Sequence, residues 1–128
     1  MEQHYQLIAL DLDGTLTNSE KVISPRTLSA LQEAQAKGVK IVLASGRPSY
    51  GIRPLADELS LDKTGGFILA YNGGKVIDCH TDEVIYERKL DGDLVPLLHD
   101  EALKAGLNIL VHQKGGMITT DDSNPEVQ

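Results

Sequence analysis

Two aspartates, Asp11 and Asp13, stand in the run Asp11-Leu12-Asp13-Gly14-Thr15. Residues two apart on an extended chain point the same way, so the two carboxylates share a side while Leu12 can face a core. Neighbouring carboxylates repel unless a cation or a shared proton sits between them. A hard cation such as Mg²⁺ is held by one or two carboxylates together with water and phosphate oxygens. An ionised aspartate can also attack phosphorus, dividing a hydrolysis into two easier steps through an aspartyl-phosphate. A second carboxyl can then protonate the leaving oxygen and later activate water. Gly14 allows a sharp turn that brings backbone N–H groups close to a phosphate, and Thr15 adds a hydroxyl. Taken alone, Asp-x-Asp also suits a calcium loop or an ordinary acidic turn, so the flanking elements have to decide.

Those elements put the pair in a favourable place. Tyr5–Leu10 reads as a buried strand that ends at the acidic residues. Thr15–Val22 is mixed and reads as a loop or short flap. Ser24-Pro25 is a helix start, an N-cap followed by proline at the first helical position. Leu28, Leu31 and Ala34 keep helical spacing until Gly38, which predicts a helix over Pro25–Lys37. Lys40–Ala44 is a second buried strand, with Ser45-Gly46-Arg47 at its end. Ile52, Leu55, Ala56 and Leu59 form another apolar stripe, in which Pro54 argues for a late start or a kink. Gly66–Tyr71 is a third strand, and Asn72-Gly73 is the dipeptide of a tight hairpin turn leading back along Lys75–Asp78. Val84–Arg88 is a further short strand.

Strand, helix, strand, helix, strand in that order predicts an α/β fold with a parallel sheet and helices on its faces. Ligands of such sheets bind beyond the carboxyl ends of the strands, where Asp11, Asp13 and Ser45 all fall. Beyond this part, Asp91 can cap a helix carrying Leu94, Leu97, Leu98, Ala102 and Ala105, closed by Gly106. Leu107–His112 and Met117–Thr120 read as two strands joined by Lys114-Gly115-Gly116, and Asp121–Gln128 shows no periodicity.

The stretch Leu10-Asp11-Leu12-Asp13-Gly14-Thr15-Leu16 resembles the first motif of the haloacid dehalogenase superfamily. The resemblance implies that Asp11 is the nucleophile and Asp13 the acid/base. It implies a magnesium cofactor held by the Asp11 carboxylate and the backbone carbonyl of Asp13. Ser45, in Leu43-Ala44-Ser45-Gly46-Arg47-Pro48, matches the second motif, a hydroxyl that binds the transferring phosphoryl group. An isolated Ser-Gly is usually only a turn, and a lone arginine usually lies on the surface. The Gly46-Arg47-Pro48 and Asn72-Gly73-Gly74 contexts resemble the Cof-like branch, which implies that Arg47, Asn72 and Gly73 lie near the substrate. That branch carries a large inserted α/β cap. The implied division is residues 1–88 as the N-terminal part of a Rossmannoid core with helices on both faces, and residues 89–128 as the beginning of the cap.

The resemblance covers only the first part of the family pattern. The family's third motif, a lysine, and its fourth, an acidic pair, have no good match: Lys114 and Asp121-Asp122 lack the right context. The rest of the cap and the returning half of the core are expected to be absent, leaving the chain alone inactive and the first strand as an apolar edge that invites self-association. The implied activity is hydrolysis of small phosphorylated metabolites, sugar phosphates above all. A phosphomutase of the phosphomannomutase type and, for this stretch alone, a non-catalytic module are the alternatives.

Bulk properties agree with this frame. The chain has 128 residues, 41% of them hydrophobic, and no apolar run approaches the roughly 18–20 residues of a membrane span. A formal charge of −7 disfavours nucleic acid as a partner. The N-terminus lacks the features of a secretory signal, so the sequence reads as soluble and cytoplasmic. The single cysteine, Cys79, rules out an intrachain disulfide and reads as structural. His80, His99 and His112 read as ordinary surface or packing residues.

Overall fold

The structure, a computed structural model, describes residues 5–113, 116–120 and 123. Lys114, Gly115, Asp121 and Asp122, to which the sequence assigned a linker and a poor motif match, lie outside the described residues. The chain divides into two compact units, Met1–Arg88 and Lys89–Gln128.

The first unit is built on a five-stranded sheet in the order β1 (Leu7–Asp11), β2 (Lys40–Ala44), β3 (Gly66–Ala70), β4 (Lys75–Asp78), β5 (Val84–Glu87). β1, β2 and β3 run parallel, and β4 and β5 continue antiparallel. Helix α1 (Pro25–Ala36) connects β1 to β2, and α2 (Ser49–Glu58) with the short α3 (Leu61–Thr64) connects β2 to β3. The Ser24 side chain accepts a hydrogen bond from the Thr27 amide at 3.2 Å, capping α1 as the sequence predicts. α1 stops one residue short of the expected end because Gly38, at φ +89°, turns the chain and lets the Gly38 and Val39 amides bond the Gln35 and Ala34 carbonyls.

Two expectations need correction here. α2 begins at Ser49, ahead of Pro54 rather than after it; Pro48 precedes the helix and Pro54 is carried inside it. The run read as a buried strand is only half covered: among the described residues β1 has β2 as its one partner and lies at the sheet edge, the place expected for the first strand of this stretch alone, with Leu7 50% exposed and Ile8 and Leu10 packed on the core. The hairpin between β3 and β4 also differs in detail. Ala70 pairs with Lys75, so the connection is the four residues Tyr71–Gly74 and not a two-residue Asn-Gly turn.

The core follows from register. Ile8 pairs with Ile41, Leu10 with Leu43, Leu43 with Ile68, and Ile68 with Ile77, so one face of the sheet is a continuous apolar surface. Leu31 of α1, Ile52, Leu55 and Ala56 of α2, and Leu59 and Leu61 after it are buried in the same cluster. The expected helices on both faces are found on one, among the described residues. β1–α1–β2 and β2–α2–β3 step across the sheet in the same direction, and right-handed crossovers then place both helices on the same side. The other face, with Ala9, Val42, Leu69 and Val76, is half-buried or exposed.

In the second unit, Asp91 caps a single turn at Gly92–Leu94 through a 3.1 Å bond from the Asp93 amide, and α4 (Val95–Lys104) follows. β6 (Leu110–Gln113) and β7 (Gly116–Thr119) form an antiparallel hairpin. Among the described residues, none of the buried hydrophobic ones belongs to this unit: Leu97, Leu98, Leu103, Leu110 and Ile118 are all exposed. Among the described residues no helix is long and apolar enough to cross a membrane.

Candidate active site

The parallel register brings three strand ends together, since Asp11 pairs with Ala44 and Ala44 with Leu69. The loops that follow therefore gather at one end of the sheet. An open depression of about 280 Å³ lies there, lined by Asp11, Ala44, Ser45, Gly46, Leu69, Asn72 and Gly73. Five of those seven residues were singled out from sequence. Ala44 and Leu69 were not. Ala44 ends β2 and Leu69 stands one residue before the end of β3, both on the uncovered face, and a period-two reading of those strands would have pointed them toward the same side as Asp11.

After Asp11 the chain turns tightly. The Leu16 amide bonds the Asp11 carbonyl at 3.1 Å, and the Thr15 and Thr17 amides bond the Leu12 carbonyl at 3.2 and 2.9 Å. Gly14 takes φ +80°, a conformation that costs a side-chain-bearing residue dearly. Leu12 is fully buried and anchors the loop from beneath, while Asp11 and Asp13 on either side are exposed. Thr17 is the one buried polar residue among those described, and its hydroxyl also bonds the Leu12 carbonyl, at 3.0 Å. Sequence reasoning passed over Thr17 because a threonine in a mixed segment carries no pattern of its own. The Thr15 hydroxyl donates to the Asp11 carboxylate at 3.2 Å.

The second and third loops are tied to each other. Asn72 donates its amide to the Ser45 carbonyl at 3.2 Å, and Tyr71 donates to the Arg47 carbonyl at 3.0 Å. The turn holding them needs three successive positive φ angles, at Tyr71, Asn72 and Gly73. Gly46 sits against the Asn72 side chain: a Cβ there would stand 3.0 Å from Asn72 Oδ1. The Ser45 Oγ accepts from the Arg47 amide at 3.1 Å.

Arg47 turns its guanidinium on Asp13. Nε donates to Oδ2 at 2.9 Å, an Nη donates to Oδ1, and the other Nη reaches the Gly51 carbonyl at 3.3 Å. These hydrogen bonds from Arg47 hold the Asp13 carboxyl below its ordinary range, against an opposing effect of desolvation, with the charges of Arg47 and then Lys21 adding to the lowering. Neither Asp13 nor Arg47 is among the residues lining the depression, and the Asp13–Arg47 pair is the feature that sequence gave no sign of. Just past β4, burial pushes the Cys79 thiol up to about 11.

The comparisons with known proteins come down on one family. The family model for haloacid dehalogenase-like hydrolases matches residues 8–128. A haloacid dehalogenase-like hydrolase from Bacteroides thetaiotaomicron is 48% identical, with a TM-score of 0.87 over 95% of this chain and 46% of its own. The sugar phosphatase BT4131 is 27% identical, with a TM-score of 0.71 over 89% of this chain and 43% of its own. The pyridoxal phosphate phosphatase YbhA of Escherichia coli is 31% identical over 118 residues, 92% of this chain and 40% of that protein. The chain thus spans less than half the length of each of these relatives. With Asp11, Asp13 and the Ser45 loop gathered at the carboxyl end of a parallel sheet, the chain belongs to the haloacid dehalogenase-like hydrolase family.

Proposed function

We propose that this chain contributes the nucleophile-bearing part of a phosphatase that hydrolyses phosphate monoesters of small metabolites through an aspartyl-phosphate. The observation that carries the reading is the exposed Asp11 carboxylate at the end of β1, lining the same depression as Ser45 and Asn72. Asp11 attacks phosphorus and the alkoxide leaves with a proton from Asp13, which then takes a proton from the water that releases phosphate. Thr15 orients the Asp11 carboxylate through its hydrogen bond. Ser45 keeps its hydroxyl proton free for a phosphoryl oxygen, because its Oγ acts as an acceptor toward Arg47. Asn72, Gly46 and Gly73 line the approach, and Gly14 forms the tight turn after Asp11 whose backbone amides would meet the phosphate. Relatives named as sugar phosphatase and pyridoxal phosphate phosphatase support a small phosphorylated substrate, and of these we favour a sugar phosphate.

The family implies Mg²⁺, and the donors present suit a hard cation: the Asp11 carboxylate and the Asp13 carbonyl, to which no described backbone amide donates. When bound, the cation would screen the charge of nucleophile and phosphate from each other. Among the described residues no group of three or more His, Cys, Asp or Glu completes such a site. Nor is any lysine among the residues lining the depression. We therefore expect Met1–Gln128 by itself to be inactive. We also expect it to associate through the β1 edge, where Tyr5 and Leu7 are exposed. Light scattering on Met1–Gln128 would check the second point, since a stable monomer contradicts it.

The deciding experiment is an assay with Mg²⁺ of an intact version, as long as the relatives it matches, on a panel of sugar phosphates and a generic phosphate ester, comparing wild type with Asp11→Asn. Phosphate release that survives the substitution would end the nucleophile assignment. Release that survives exhaustive chelation would end the role of the metal.

A further inference from the structure

The Arg47 side chain is hydrogen-bonded to a candidate catalytic group, and it is fully engaged there. Its side-on edge, the pair of N–H groups that matches a carboxylate or a phosphate, is occupied by both oxygens of Asp13. Its remaining Nη is turned to the Gly51 carbonyl. Its backbone, by contrast, is fixed at the rim of the depression: the amide donates to Ser45 Oγ and the carbonyl accepts from Tyr71. Only the side chain is left to move, about a fixed Cα next to Ser45 and Gly46, which line the depression.

The pair is also of the kind that exchanges. Its side chains are 25% and 53% exposed, so solvent screens the attraction and the net hold is modest. A phosphate offers the same bidentate geometry as a carboxylate with more negative charge. From this geometry we infer that Asp13 and the phosphate of the ligand compete for one edge of Arg47: the Asp13–Arg47 pair is the resting arrangement, and anion binding transfers Arg47 from Asp13 to the ligand. This rests on the phosphatase reading above. It gives the arginine a definite part, that of a positioning residue that leaves Asp13 unencumbered only when an anion is seated. A ligand without a phosphate-like anion would leave Asp13 held.

The test is a double-substitution cycle on an intact version as long as its relatives, with inorganic phosphate as the probe and metal chelated, binding being followed by ³¹P NMR or calorimetry. Asp13→Asn keeps the shape but removes the competing charge. It should tighten phosphate binding about fivefold, the equivalent of one exposed, well-aligned pair. Arg47→Ala should weaken binding, and in its background Asp13→Asn should give no gain. Arg47→Lys, which keeps the charge without the two-pronged edge, should recover only part of the affinity. Should Asp13→Asn tighten binding equally with and without Arg47, the gain is simple relief of repulsion and the exchange is wrong. It is equally wrong should Asp13→Asn give no gain while Arg47 is present. Phosphate-ester turnover by wild type with Mg²⁺, measured alongside, separates the two readings. Turnover without Arg47-dependent coupling removes the exchange alone, and absence of both turnover and phosphate binding removes the phosphatase reading with it.

Discussion

The unit Met1–Arg88 and the unit Lys89–Gln128 are built from the same kinds of residues but bury them very differently. In the first, register and right-handed crossovers stack Ile41, Leu43 and Ile68 against Leu31, Ile52 and Leu55, all of them buried. In the second, an amphipathic helix and a two-stranded hairpin carry as rich a set of apolar side chains, yet Leu97, Leu98, Leu103 and Ile118 stay exposed. An amphipathic element is stable only when its apolar face finds a partner. Patterning makes the elements in both units, but packing has fixed only the first. The candidate catalytic residues all stand on the loops of the unit whose strands are fixed, as positioning to fractions of an ångström requires.

The largest effect that follows is on chemistry. In an intact version as long as its relatives, Asp11→Asn should reduce phosphate release by on the order of 10³-fold or more, because nothing replaces the nucleophile. Asp13→Asn should cost about 10²–10⁴-fold, and most with poor leaving groups, where the proton donor matters most. Substitutions such as Leu98→Ala should leave that chemistry within a few-fold. A steady-state comparison across leaving groups checks all three, and equal damage from Leu98→Ala would erase the distinction between the units.

The next effect is on stability. Leu43→Ala removes a fully buried side chain from the centre of the sheet and should cost about 2–5 kcal/mol. Leu98→Ala, on a side chain 50% exposed, should stay within about 0.5 kcal/mol in Met1–Gln128. Denaturant titration of the two variants measures the contrast directly. A large cost at Leu98 would mean that its face is covered in solution.

Cys79 gives a probe of the first unit alone. It is 4% exposed, and burial raises its thiol to about 11, so below that pH the reactive thiolate is scarce in the folded state. Labelling by a thiol reagent near neutral pH should be slow and should accelerate when Met1–Arg88 opens. Rapid labelling under native conditions would show that this core is loose as well.

The smallest effect concerns Asp13. Its folded-state value lies below the ordinary 3.8, so its contribution to stability is present above that pH and is lost as pH falls through the lower folded value. Thermal melts of wild type and Arg47→Ala should therefore agree less above that range than below it. Since both partners are partly exposed, the difference should be slight. No convergence at low pH would mean that the pair contributes nothing measurable.

Much of the site was legible in the sequence because it depends on local signals. Asp-x-Asp-Gly-Thr after an apolar run, Ser-Gly after the next one and Asn-Gly after the third each announce a strand end. The helix cap at Ser24 was legible for the same reason, being a contact between residues three apart. What local signals could not carry was strand order. An apolar run says that a strand wants neighbours, not how many it gets: Tyr5–Leu10 reads as buried by its pattern, and only the unmatched later motifs of the family pointed to the edge where β1 lies among the described residues. The start of α2 was misjudged because Pro54 is unfavourable by propensity, while the burial of Ile52, Leu55 and Ala56 favours helix on both sides of it.

The sequence by itself determined which residue types stand at the strand ends, and hence the chemistry open to them. Only the tertiary structure decided who faces whom. Parallel register set Asp11 beside the Ser45 loop, and two backbone hydrogen bonds tied that loop to Tyr71 and Asn72. Arg47, 34 residues from Asp13, met it through hydrogen bonds that no spacing announces. The physical reason is range. Propensity, capping and turn chemistry act over a few residues, whereas ion pairs and strand neighbours depend on chain segments that only packing brings together.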